Sequence, residues 1–264
     1  MTEKGGMNMF LAIDIGNTNI VIGKYKDEKL IYVARIMTDT AKSEAEYAVK
    51  IQSILSLDKS STDKVDGAII SSVVPPLTNT VKSAIKILYN VDALVVGPGI
   101  KTGINLQVDN PAQVGADLIC ACVAAYNKYP TPALIVDMGT ATKLMLVDEN
   151  AVFVGVSIIP GIELSLRALS GGTAQLPQIS LDAPERVMAR NTVECMQSGA
   201  IYGNASMIDG MLERVYDEYG EIKTLVATGG YAKKVIPYCK RNIIIDENLI
   251  LDGLRIIYTK NHKN

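Results

Sequence analysis

The chain has 264 residues, 48% of them hydrophobic, with a formal net charge of −2 and a mean hydropathy of +0.19. That length supplies core for two modest domains, and the near-neutral charge, with no block of about five like charges, argues against a nucleic-acid-binding surface. No apolar run approaches the about 20 residues that span a bilayer, so no membrane role is expected.

Met1–Met9 lacks the apolar core of a signal peptide, and residues 1–8 are expected to be a flexible lead-in. Phe10–Ile15, Asn19–Tyr25 and Lys29–Met37 read as a strand meander, with Lys26-Asp27-Glu28 as a polar turn. Ser43–Leu57 has helical spacing through Ala45, Val49, Ile51, Ile54 and Leu55. Val65–Ser72 is a buried-strand pattern, Pro75-Pro76 opens a helix through Leu77–Tyr89, and Ala93–Val96 is a short strand. Leu118–Tyr126 reads as a buried helix.

Pro130-Thr131-Pro132 marks a boundary, after which the strand program restarts. Ala133–Val136, Thr142–Asp148 and Ala151–Ile159 form a second meander. Helices are expected over Gly161–Leu169 and Thr192–Tyr219, a strand over Thr224–Thr228 and a terminal helix over Leu249–Tyr258. Gly171-Gly172 and Ala183-Pro184-Glu185 mark a loop. Strands in series followed by alternating strands and helices, done twice, predict two α/β domains of one type, over 1–129 and 130–264.

The cysteines Cys120, Cys122, Cys195 and Cys239 form no Cys-x-x-Cys pair, and free core thiols in a reducing cytoplasm are expected. The single histidine, His262, lies in the polar tail. This removes His-based triads and His-ligated zinc, so carboxylates, backbone dipoles and a metal ion must carry any catalysis.

Two segments share one wording: Leu11–Asn19, containing Asp14-Ile15-Gly16-Asn17-Thr18-Asn19, and Leu134–Thr142, containing Asp137-Met138-Gly139-Thr140. The repetition suggests a duplicated unit whose copies face one another across a cleft. Gly permits a tight turn and close ligand approach, while successive N–H groups make a concavity for phosphate oxygens. The Asp is suited to the cation that bridges phosphates. A plain hairpin turn is the bland alternative, but an Asp ending an apolar strand is costly without a cation or hydrogen-bond partner. A nucleotide cleft is the expectation. Gly229-Gly230, after Ala227-Thr228, fits a loop approached closely by adenosine, although glycine pairs also simply end strands.

Asp109–Asp117 offers Gly115-Ala116 as small residues near a ligand and Asp117 in one of two roles. It either caps the following helix or acts as general base for an alcohol proton; spacing leaves both open. Asn191-Thr192 is likewise a helix cap or, through Thr192, a contact to an anionic substrate. The ten methionines read as core filler.

Taken in order, these residues resemble the actin-like ATPase superfamily and, more closely, the type III pantothenate kinases. The further matches are Asp109-Asn110-Pro111, Pro160-Gly161, Thr173–Pro177, Gln197-Ser198-Gly199, Tyr202-Gly203 and Ala227–Gly230. The resemblance implies two ribonuclease H-like (actin-like ATPase) domains with the active-site cleft between them. It implies phosphorylation of pantothenate to 4'-phosphopantothenate by ATP with Mg2+, the first step of coenzyme A biosynthesis, in a cytoplasmic homodimer. Phosphates map to Asp14, Ile15, Gly16, Asn17, Thr18, Asn19, Ile20 and Val21 and to Gly139 and Thr140, with Gly229 and Gly230 also on the nucleotide. Asp14 is assigned to the metal, and Asp137 to a monovalent cation (K+ or NH4+). Pantothenate maps to Val108, Gly115, Ala116, Asp117, Leu118 and Thr192, with Asp117 as proton acceptor.

The chain departs from the resembled pattern at three places. Leu118 stands for Arg, Val108 for Tyr, and Lys143-Leu144-Met145 for Thr-Phe-Asp. An Arg offers a fork for substrate oxygens that leucine cannot. The alternatives are therefore a paralogous small-molecule kinase with an altered acceptor, or a weakly catalytic ATP-binding regulatory protein.

Overall fold

The computed structural model describes residues 9–58 and 64–262, so the expected lead-in lies outside the described residues. Strands β1 (Met9–Ile15), β2 (Asn19–Lys26) and β3 (Lys29–Met37) form the meander. After helix α1 (Glu44–Leu55) come β4 (Gly67–Ser72), α2 (Pro75–Tyr89) and β5 (Leu94–Val95). The sheet order is β3-β2-β1-β4-β5, with β1 antiparallel to β2 and parallel to β4. A central strand covered on both faces must be apolar throughout, and in β1 every residue but Asp14 is buried.

Helix α1 starts in a capping box: the Glu46 N–H donates to Ser43 Oγ and the Ser43 N–H to Glu46 Oε2. It buries Tyr47, Ala48, Ile51 and Leu55, whereas Val49, counted above on the apolar face, is 64% exposed. Pro75 opens α2, which buries Leu77, Val81, Ala84 and Ile85 and ends on Asn90 in the left-handed region.

The short strand β6 (Asn105–Leu106) and helix α3 (Ala116–Lys128) precede the second meander of β7 (Ala133–Met138), β8 (Ala141–Val147) and β9 (Val152–Pro160). Next come α4 (Ile162–Gly171), α5 (Thr192–Ser198) and α6 (Asn204–Tyr219). The chain closes with β10 (Thr224–Thr228), α7 (Ala232–Val235), β11 (Ile244–Ile245) and α8 (Leu249–His262). The second sheet runs β11-β10-β7-β8-β9-β6, again with its first strand antiparallel to the second and parallel to the strand after the helices. The meander, the parallel neighbour and the outer strand repeat the first sheet in order and direction. The helix expected over Thr192–Tyr219 is interrupted by a π-helical turn at Gly199–Gly203, a feature frequent at functional sites.

Two compact units result. One gathers the chain up to Ile104, Asp109–Ala124 and the chain from Leu249 onward; the other holds Asn105–Val108 and Ala125–Asn248. Helix α8, expected within the second half, therefore belongs with the first sheet. The Phe10 ring stacks on Tyr25 and Tyr258 at centroid distances of 5.2 and 4.3 Å. Gly253 leaves room for the Cys120 carbonyl, which a Cβ would strike. His262 stacks on Tyr258 at a centroid distance of 3.9 Å. Among the described residues, no helix is long and apolar enough to cross a membrane.

Candidate active site

In the first unit, β1 ends at Asp14, which faces Val21 on β2 and Ser71 on β4. The turn that follows closes on itself, the Gly16 N–H donating to the Asn19 carbonyl at 3.0 Å. Thr38 fixes it from β3's end: its hydroxyl donates to Gly16 O at 2.6 Å, and its N–H to Thr18 O at 3.0 Å. Ile15 and Ile20 are buried beneath the turn, whereas Asn17, Thr18 and Asn19 are exposed at its tip. The turn is thus a rigid rim with polar side chains outward, which suits it to phosphate oxygens.

Helix α3 begins beside this turn's strand. Asp117 is buried, and its Oδ1 accepts the Leu118 N–H at 2.9 Å. Gly115 accommodates the bend of that carboxylate, because a Cβ there would meet Asp117 Oδ1. One turn further on, the fully buried Cys120 thiol feels both carboxylates. Burial, then the charges of Asp14 and Asp117, push it well above the ordinary thiol range, with the Ser71 hydroxyl acting the other way. Asp14 and Asp117, about a hundred residues apart in sequence, therefore both act to keep one buried S–H protonated. Leu118, standing where the resembled pattern has Arg, is buried.

In the second unit, Asp137 occupies the place of Asp14, facing Lys143 on β8 and Thr228 on β10. Lys143 Nζ lies 2.8 Å from Asp137 Oδ2, with the two side chains 16% and 7% exposed. The Gly139 N–H donates to Ala141 O at 3.1 Å and leaves Thr140 exposed at the tip. Two further glycines pack on this turn. A Cβ on Gly161 would strike the carbonyls of Gly139 and Thr140, and one on Gly229 would sit 2.6 Å from the Met138 carbonyl carbon. Gly229 also has φ +92, which only glycine adopts without strain. Its neighbour Tyr231 donates to Glu163; burial, then that carboxylate, pushes the phenol up to about 12.

Thr192 opens α5 behind Asn191, whose Oδ1 accepts the Glu194 N–H at 3.0 Å. The cap role thus falls to Asn191 and leaves the Thr192 side chain on the wall of a 670 Å³ cavity with Arg190, Ser165, Leu166 and Asn204. Val108 is half-buried just after β6. Among the described residues, no cluster of three or more His, Cys, Asp or Glu could hold a metal.

The structure thus brings Asp14–Val21 and Gly115–Leu118 into one unit, and Asp137, Gly139, Thr140 and Gly229 into the other. Sequence reasoning missed Ser71 beside Asp14 and the Cys120 thiol that feels both acids, because strand register and helix packing are not written in local pattern. It also gave no direction for the Lys143 ammonium, although an antiparallel hairpin counted outward from Thr140 pairs Lys143 with Asp137.

The type III pantothenate kinase family model matches residues 10–214. Type III pantothenate kinases of Exiguobacterium sp. and Brevibacillus brevis are 42% and 43% identical to the chain. The alignments cover 97% and 96% of this chain and 100% and 99% of theirs. Among solved structures, an inorganic polyphosphate/ATP-glucomannokinase from Arthrobacter sp. strain KM shares the fold. Its TM-score is 0.52 at 13% identity, over 97% of this chain and all of that one.

Proposed function

The chain belongs to the type III pantothenate kinase family, and from that membership we propose that it transfers the γ-phosphoryl group of ATP to the terminal hydroxyl of pantothenate. The product is 4'-phosphopantothenate, at the first step of coenzyme A biosynthesis. End-to-end similarity to proteins of that name carries this reading and outweighs the two substitutions, Leu118 and Val108, that motivate an altered acceptor or a regulatory protein.

The residue roles follow from chemistry. Asp117 takes the hydroxyl proton as the oxygen bonds to phosphorus and the bond to the β-phosphate oxygen breaks, releasing ADP. The Gly16–Asn19 and Gly139–Thr140 turns present polar groups to phosphate oxygens at their exposed tips, the Gly16 and Gly139 N–H groups being used within the turns themselves, and Gly229-Gly230 allows close approach of the nucleoside. Magnesium carried with ATP offsets phosphate charge; the oxygen chemistry of Asp14 fits it. Pantothenate contacts fall to Gly115–Leu118, Val108 and Thr192. Arg190, on the same cavity wall as Thr192, offers a guanidinium fork for the substrate carboxylate.

A monovalent cation at Asp137 does not fit the residues present, since the Lys143 ammonium already lies against that carboxylate. A homodimer is supported by exposed apolar side chains within one stretch of the second unit: Ile158, Leu164, Leu169, Val187, Met188 and Val193. A coupled assay with ATP, magnesium and pantothenate, with the product identified by mass spectrometry, tests the activity. ADP release with other hydroxy acids but not with pantothenate would overturn the acceptor.

A further inference from the structure

The two halves place different residues opposite their matched acids. Asp14 has Val21 as its antiparallel partner, whereas Asp137 has Lys143. Directly opposed residues on antiparallel strands project from the same face, so the lysine stem runs across the pair to the carboxylate. There the ammonium meets Asp137 Oδ2 at 2.8 Å, with little of either side chain exposed. Drawing an ammonium so far out of water is unfavourable unless a carboxylate compensates, and this one does.

A second observation points the same way. Met145, two residues on from Lys143, lies on the same strand face. The resembled pattern has Thr and Asp at these two positions, both oxygen-bearing and suited to a hard cation. This chain has instead a fixed positive charge and an apolar side chain on that face, neither of which offers oxygen to a cation.

We propose that Lys143 is a tethered cation. Its ammonium does at Asp137 what a diffusible monovalent ion would do, and nucleotide binding at the Gly139–Thr140 turn needs neither potassium nor ammonium. A second cation on the same carboxylate is opposed by like-charge repulsion. The inference rests on the kinase reading for ATP, but not on pantothenate as the acceptor.

The test is ATP–magnesium affinity by calorimetry, in potassium chloride against tetramethylammonium chloride at equal ionic strength. Direct ion binding is followed by thallium-205 NMR. The wild type should change less than about 2-fold between salts and show no bound thallium. Lys143→Thr should bind ATP about 10-fold more weakly in tetramethylammonium, recover in potassium and bind thallium; Lys143→Met serves if that variant fails to fold. A wild type that loses about 10-fold in affinity without potassium, or binds thallium, overturns the inference, as does a folded Lys143→Thr indifferent to salt. ATP affinity that behaves as expected while pantothenate is not turned over sinks the acceptor alone; no ATP binding in any salt sinks both.

Discussion

The Asp14 and Asp137 turns are two solutions to one problem, written on the same strand order and solved with different neighbours. Asp14 is opposed by valine and serine, and shares a buried thiol with Asp117. Asp137 is opposed by lysine and threonine, and its nearest charge is an ammonium. The second acid therefore carries a cation from the facing strand, where the first has a valine at the matching position. The frame repeats between the two sheets, and the side chains on the adjacent strands differ.

The sharpest way to break this division is at Asp117. If the first unit holds the proton acceptor, Asp117→Asn should lower kcat by about 10²–10⁴-fold while leaving ATP affinity measurable by calorimetry. Near-normal turnover would return Asp117 to the helix-cap role. Next in size is the ion pair. Asp137→Asn strands a largely buried ammonium, which typically costs about 3–5 kcal/mol, read as a lower midpoint in urea. Asp14→Asn, with valine rather than lysine at the matching facing position, leaves no facing-strand ammonium behind and should cost less stability. Equal losses from the two substitutions would erase the proposed asymmetry.

Much of this frame was legible in the sequence because its signals are local. β3 and β10 have the expected bounds, and α1 begins after a Ser-x-x-Glu box that announces itself in four letters. The duplicated Asp-x-Gly turns marked both strand ends that matter. What stayed hidden was tertiary. β6 and β11 are two residues each, too short for any periodicity, and exist because a neighbouring strand offers an edge. α8 carries an ordinary amphipathic pattern, and nothing in it says which sheet it covers; Phe10 and the small Gly253 decide that. Cys120 reads as core filler until packing sets it beside two carboxylates.

The turns also differ in which glycine they depend on. At Gly139 a Cβ would meet nothing nearer than Asp137 Oδ1 at 3.6 Å, an ordinary contact, while at Gly161 it would collide with the carbonyls that shape the turn. Gly161→Ala should therefore cost about 2 kcal/mol, in the range for overpacked sites. Gly139→Ala should stay within about 0.5 kcal/mol. Chemical denaturation of both variants decides this, and the reverse ranking would place the structural glycine in the turn itself.

A last effect concerns the two buried thiols of α3. Cys120 and Cys122 are both fully buried and, mainly through burial, held well above the ordinary thiol range. The sign follows from linkage: the unfolded chain loses these protons from about pH 8.5, whereas the folded chain keeps them. Their contribution is complete below that pH and fades as pH rises toward the folded values. Between pH 8.5 and 9.5 each thiol should remove about 1 kcal/mol of stability. Comparing wild type with Cys122→Ala isolates one of them, since tyrosine and lysine titration is common to both. The variant should lose less stability over that interval, by about the share of one thiol. Parallel curves would mean that the first unit opens readily enough for Cys122 to ionise in place. The tight packing around the Cys120–Ala125 stretch of α3 would then be lost.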